Sequence, residues 1–160
     1  MADASELKQK FWDAVKDDRT VMLGLADANS HPRPMTAMIE GDEGGPVWFF
    51  TGTSTELGAG VSAPAPALLT LSSKGHDVFA TVHGTLSRTH DRAVIDRLWN
   101  PFIAAWYEGG KDDPTLVLLR FDPADAEIWL EGSSLVAGVK AMLGVDPKKD
   151  YQDNVGQVRL

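Results

Sequence analysis

Strand-forming runs follow one another along this chain with turn residues, not helices, between most of them. TVMLGLA from Thr20, VWFFT from Val47, ALLTLSS from Ala67, VFATVHGTLS from Val78, TLVLLRF from Thr115 and AEIWLE from Ala126 are short, apolar, β-branched or aromatic segments. RPMTAMIE adds an alternation, with Arg33, Met35, Ala37 and Ile39 on one face and Pro34, Thr36, Met38 and Glu40 on the other. A parallel sheet needs a crossover helix after each strand, and this chain lacks one after most of them. Short polar loops join antiparallel neighbours, so the first three strands, turning at Asp27–Ser30 and Asp42–Pro46, read as a meander. The predicted fold is mainly β (α+β): a small closed or split barrel of six or seven antiparallel strands with peripheral helices.

Helical signals are few and local. Asp3 with Glu6 opens a helix whose apolar face is Leu7, Phe11, Ala14 and Val15, ending at the Asp17-Asp18-Arg19 charge cluster. Thr53-x-x-Glu56 reads as a second capping box, its short helix cut off by Gly58, Gly60, Pro64 and Pro66. Between Asp91 and Tyr107 the period is helical, but Pro101 cannot sit inside a helix, so Asn100 caps a second one that Gly109-Gly110 closes. Leu135, Val139 and Met142/Leu143 suggest a small C-terminal helix. The chain of 160 residues therefore reads as one domain, 1–132 forming barrel and caps and 133–160 a C-terminal helix and tail.

Charge and composition remove several functions. Acidic residues outnumber basic ones by eight, and no basic block occurs, so nucleic acid is not an expected partner. There is no cysteine, which removes disulfides, thiol catalysis and zinc–thiolate sites. No run approaches the roughly eighteen apolar residues of a membrane helix. The polar start MADASELKQKF lacks the apolar core of a secretion signal, which makes the expected location cytoplasmic. His31, His76, His83 and His90 lack metal-ligand spacing, and no GxSxG is present, so neither a metal site nor a serine nucleophile is expected.

Two features suit an anion. Arg33 starts a strand on a core-like face, and a guanidinium offers a rigid fork of donors. Thr51-Gly52-Thr53-Ser54-Thr55 places hydroxyls before a helix start, where they serve either as plain caps or as part of a phosphate cradle.

RPMTAMIE, VWFFTGTSTE and LWNPFIAAWYEGGKDDPTLVLLRFDPADAEIWLE together resemble the general stress protein 26 family, flavin-binding split barrels related to pyridoxamine 5′-phosphate oxidase. The most specific part is Trp99-Asn100-Pro101 with Trp106 to Pro114, ending in Glu127-Ile128-Trp129. The resemblance implies FMN, with FAD as the other candidate, in a crevice between two protomers of a homodimer. It implies Arg33 at the phosphate or ring edge, and Pro34, Met35 and Thr36 beside the ring. Phe49, Phe50 and Thr51 would follow on the next strand, with Thr53, Ser54 and Thr55 at the phosphate. Trp129 would reach the flavin from the partner subunit, or else serve as a core or interface aromatic.

One departure concerns the phosphate. Members of the family it resembles commonly carry a Lys after the hydroxyl stretch, whereas Ser54-Thr55-Glu56-Leu57 stands here, which puts Leu57 at the expected pocket mouth in place of a cation. The resemblance implies an FMN-binding redox flavoprotein connected with stress. Its enzyme version is an FMN-dependent oxidoreductase exchanging electrons with a small-molecule donor or acceptor. The alternatives are a non-catalytic flavin-binding or sensing protein, and a split barrel that has lost tight FMN binding and holds another ligand. Pyridoxamine phosphate oxidase activity is not expected, because the Arg/His-rich segment of those oxidases is missing after Trp129. No residue is singled out as catalytic.

Overall fold

α1 (Ala4–Asp18) begins where Asp3 accepts a hydrogen bond from the Glu6 backbone N–H at 2.8 Å. Leu7, Phe11, Trp12, Ala14 and Val15 are its buried face, and burying the two aromatic side chains is worth about 1.5–3 kcal/mol each. It ends at Arg19, whose left-handed φ of 63° lets its N–H return to the Val15 carbonyl. The computed structural model describes residues 2–27, 29–42, 44–131, 142–144 and 154–160. No helix among them is long and apolar enough to cross a membrane.

Seven strands form one antiparallel sheet among the described residues: β1 (Thr20–Leu25), β2 (Arg33–Thr36), β3 (Val47–Gly52), β4 (Ala65–Ser72), β5 (Val78–Thr89), β6 (Leu116–Leu130) and β7 (Val155–Arg159). Their order is β2-β1-β4-β5-β6-β3, with β7 beside β6. The expected meander stops after two strands. β3 pairs along its length with β6, Phe49 opposite Leu119, and touches the β2 side only through one bridge, Met38 to Trp48. That bridge joins the two ends of the sheet, so the barrel closes at one point and is split beyond it. The aromatic run Trp48-Phe49-Phe50 explains the choice, because between β6 and the helices it buries both of its faces.

β6 is one strand of 15 residues where two were expected. It passes Pro123 because the β5–β6 register shifts at His83/Gly84 and Pro123 lies opposite Gly84, at the irregularity where a ladder donor is dispensable. One edge of β6 pairs with β5 from Leu118 to Leu130. The other pairs first with β3 and then with β7, a strand not anticipated in the tail. The predicted helix through Leu135 and Val139 lies outside the described residues.

The barrel interior holds Leu23, Phe49, Leu69, Val82, Leu86, Phe121 and Ile128 together with the apolar face of α1. A second, smaller core lies outside β3. There Met38, Trp48, Leu116 and Leu118 meet α3 (Arg92–Leu98), with Trp99, Ile103 and Tyr107 packed alongside. α4 is shorter than expected, Pro101–Ala104, because the chain leaves the helix at Ala105 well before Gly109-Gly110. Asn100 caps it as predicted, accepting from the Ile103 N–H at 3.0 Å.

Candidate functional site

The split leaves one edge of β2 and one edge of β3 facing each other, and a cleft of about 800 Å³ opens there. Pro34, Met35 and Thr36 line it from β2, and Phe50, Thr51 and Gly52 from β3. Ser54 and Thr55 continue the wall from the turn after β3, and Met38 lies in the floor near the closing bridge. The far wall is the segment after α3, which contributes Asn100, Phe102, Ile103, Trp106 and Tyr107. Tyr107 fixes that wall to the strand by donating its hydroxyl to the Thr51 carbonyl at 2.8 Å. Burial, and then the nearby negative Asp113, push the Tyr107 phenol above its ordinary value. It stays a neutral donor at physiological pH.

Phe102 and Trp106 stand out at the lip of the cleft, 84% and 83% exposed. Two large aromatics exposed on one lip are the kind of apolar surface that marks a contact.

The hydroxyls predicted for an anion divide between two jobs. Thr55, not Thr53, is the N-cap of the short helix α2 (Glu56–Gly60): its Oγ1 accepts from the Gly58 N–H at 3.0 Å and donates to the Gly52 carbonyl at 2.9 Å. With that hydrogen committed, Thr51 is the donor in the 2.7 Å contact between the two threonine hydroxyls. The capping role of these hydroxyls therefore holds for Thr55, and Ser54 is the cleft hydroxyl outside this network. Thr53 is exposed and does not line the cleft.

Arg33 also stays out of the lining. Its Nη2 lies 2.5 Å from Glu56 Oε2, while its Nε is buried without a partner. Phe49 is fully buried in the barrel interior, on the face of β3 opposite Phe50. Trp129, half-buried on β6, lies between Phe79 and Val155 on the neighbouring strands and away from the cleft of its own chain. Leu57 corrects an expectation. It is 2% exposed and belongs to the barrel core, not to a pocket mouth. The backbone of α2 comes so close to the end of β3 that a Cβ on Gly58 would sit 1.9 Å from the Gly52 carbonyl oxygen, and this packing turns the Leu57 side chain inward.

The lining residues that the prediction missed are Arg19, Thr20, Met38, Gly52, Thr115 and the wall from Asn100 to Tyr107. The Asn100-Pro101 break was the available signal for the wall, since it turns the chain back over β3. Arg19 had none, because a cation after Asp17-Asp18 reads as an ordinary solvated helix end. In the structure it lines the cleft, and among the described residues it is the sole charged one to do so.

A barrel closed at a single bridge, with an apolar cleft between the two free strand edges, defines a small split-barrel protein. The chain belongs to the pyridoxamine 5′-phosphate oxidase-like family, whose model matches residues 6–151. It is 58% identical to a general stress family protein from Xanthomonas campestris pv. campestris, over 84% of this chain and 93% of that one, with a TM-score of 0.77. It is 56% identical to the general stress FMN/FAD binding protein of Xanthomonas citri, over 81% and 92% of the two chains, with a TM-score of 0.76. A general stress protein 26 from Jannaschia is 31% identical, covers 99% of this chain and 100% of its own, and superposes with a TM-score of 0.83.

Proposed function

We propose that this chain is a cytoplasmic, homodimeric FMN-binding protein that exchanges electrons with a small molecule. The observation that carries the reading is the open seam: two strand edges that meet at a single bridge, apolar side chains on both walls, and room for a flat three-ring system. The general stress relative from Xanthomonas citri, described as FMN/FAD binding, supports it at 56% identity.

The residues fit the flavin ring better than its phosphate. Met35, Met38, Phe50 and Ile103 offer an apolar slot, and the free edges of β2 and β3 offer N–H and C=O groups to the polar ring margin. Bound flavin would supply acceptance and release of an electron pair. At the phosphate end stand the Ser54 hydroxyl and Arg33, whose orphaned Nε is a buried donor in want of an acceptor. The same guanidinium is held by Glu56, and among the described residues no lysine lines the cleft. The chain's own contribution is to hold the ring, exclude water with the Tyr107 wall, and regulate Arg33 through Glu56. Phe102 and Trp106, exposed at the lip, are the surface a second protomer would cover, and Trp129 would approach the flavin from that protomer.

The Arg33–Glu56 pair also supports a second reading, in which FMN is held weakly or the cleft serves another ligand. The visible spectrum of the purified protein before and after FMN addition separates the two, with anaerobic NAD(P)H reduction as the next step. Bound flavin that is reduced and then reoxidised by an added acceptor fits an oxidoreductase. Bound flavin that is not reduced fits sensing, and no flavin spectrum at saturating FMN ends the flavin reading.

A further inference from the structure

We propose that the recess adjoining the cleft is a binding subsite for the oxyanion of a second small ligand, a carboxylate or phosphate carried on an apolar body, with Arg19 as its anchor. The inference deepens the flavin reading and rests on it for the word second.

The recess, about 340 Å³, shares Arg19, Met38 and Asn100 with the cleft, so the two adjoin. Among the described residues three cations line it, Lys16, Arg19 and Arg97, and no carboxylate does, in a chain whose net charge is −8. Two of those cations are already neutralised. Lys16 is paired with Asp42, and Arg97 with Glu40 at 2.6 Å, both acids flanking Gly41 on the loop beside the recess. Arg19 has no ion-pair or side-chain hydrogen-bond partner among the described residues, which leaves the recess with one positive charge in surplus. Its other walls are Ala37, Ile39, Leu98 and Trp99, a surface for an apolar body.

Position separates this charge from the phosphate end. Arg33 lies opposite Leu23 on β1, and Arg19 lies four residues before Leu23, so the two guanidinium-bearing backbones are about 13 Å apart along the strand. A flavin with its phosphate at Ser54 and Arg33 directs its ring toward Arg19, which places the recess beside the ring rather than beside the tail. Arg19 also occupies the left-handed end of α1, where glycine is the low-cost residue and a side chain with a Cβ is strained. A cation kept at that cost faces the cleft.

The test titrates benzoate, phenyl phosphate and the neutral benzamide into wild-type protein, both as purified and saturated with FMN. One anion should bind about ten-fold or more tightly than benzamide, a preference that falls with salt, and which anion wins identifies the group. Arg19→Gln should abolish the preference and Arg19→Lys should restore part of it. Arg19→Gly should raise the thermal midpoint while losing the preference, which excludes a folding artefact. Equal binding of anions and benzamide, or an unchanged preference in Arg19→Gln, overturns the proposal. So does a loss of FMN over riboflavin selectivity in Arg19→Gln, because that puts the flavin phosphate at Arg19. A protein that binds no flavin but keeps the Arg19-dependent preference retains the subsite and loses the flavin reading.

Discussion

Leu57 shows how much one side chain's direction decides. At 2% exposure within the barrel core, Leu57→Lys buries an amine in place of a methyl-rich side chain. The expected cost is about 3 kcal/mol or more, read as a lower urea midpoint, and an undiminished midpoint would put position 57 at the surface. The substitution is no route to restoring the family's lysine. Relieving Arg33 is the better one. In Glu56→Gln the guanidinium loses its acid, so FMN should bind several-fold tighter while riboflavin, lacking the phosphate, is unchanged. Stability should move by less than about 1 kcal/mol, since both partners of that pair are partly exposed. Equal gains for the two flavins would show that Arg33 does not meet the phosphate. Tyr107 carries the pH signature. Its pKa is raised above 10.0 in the folded protein, first by burial and then by Asp113. Its contribution to stability is complete below that ordinary value and is lost as pH rises through the folded pKa. A phenolate difference titration of wild type against Tyr107→Phe isolates this one ring, and its midpoint should lie above 10.0.

At the scale of elements, the meeting of Gly84 and Pro123 is the constraint on β5 and β6. A Cβ at Gly84 would approach the Asp122 carbonyl oxygen at 2.5 Å and the Phe121 ring at 2.6 Å, neither of which yields without moving the strand. Gly84→Ala should cost about 1–3 kcal/mol by equilibrium unfolding, whereas Gly60, with open space around it, should accept alanine with little change. The same site explains a limit of reading strands from sequence. Pro123 looks like a terminator, and only a partner supplying a glycine at the irregular register lets the strand continue. Local signals were legible where they are local: the Asp3 and Asn100 caps and the apolar, β-branched run of β5. Which strand pairs with which was not, because β3 chooses β6 over β2 through contacts on both its faces. The cleft was half legible for the same reason. Pro34 to Thr36 and Phe50 to Thr55 are contiguous stretches that, Thr53 apart, line the cleft, while Arg19 and Tyr107 reach it from distant elements.

For the molecule as a whole, the exposed pair at the cleft lip bears on assembly. If Phe102 and Trp106 are covered by a second protomer, wild type should scatter light as a dimer at micromolar concentration. Phe102→Asp with Trp106→Asp should then shift it to monomer and weaken FMN binding, with the circular dichroism of the barrel preserved. A wild-type monomer would remove the partner from the site. The pairing of β3 with β6 has a different consequence, one of timing. Val47 lies opposite Phe121, so β3 waits through more than seventy residues of later synthesis before its ladder partner exists. Non-local pairing of this kind makes folding slow, and the β3 wall of the cleft cannot be in place while β6 is still inside the ribosome. A nascent chain would hold β1 with β2, then β4, then β5, as a growing curl with its most aromatic strand unpaired. Binding competence on that route arrives last, with the strand that closes the circle.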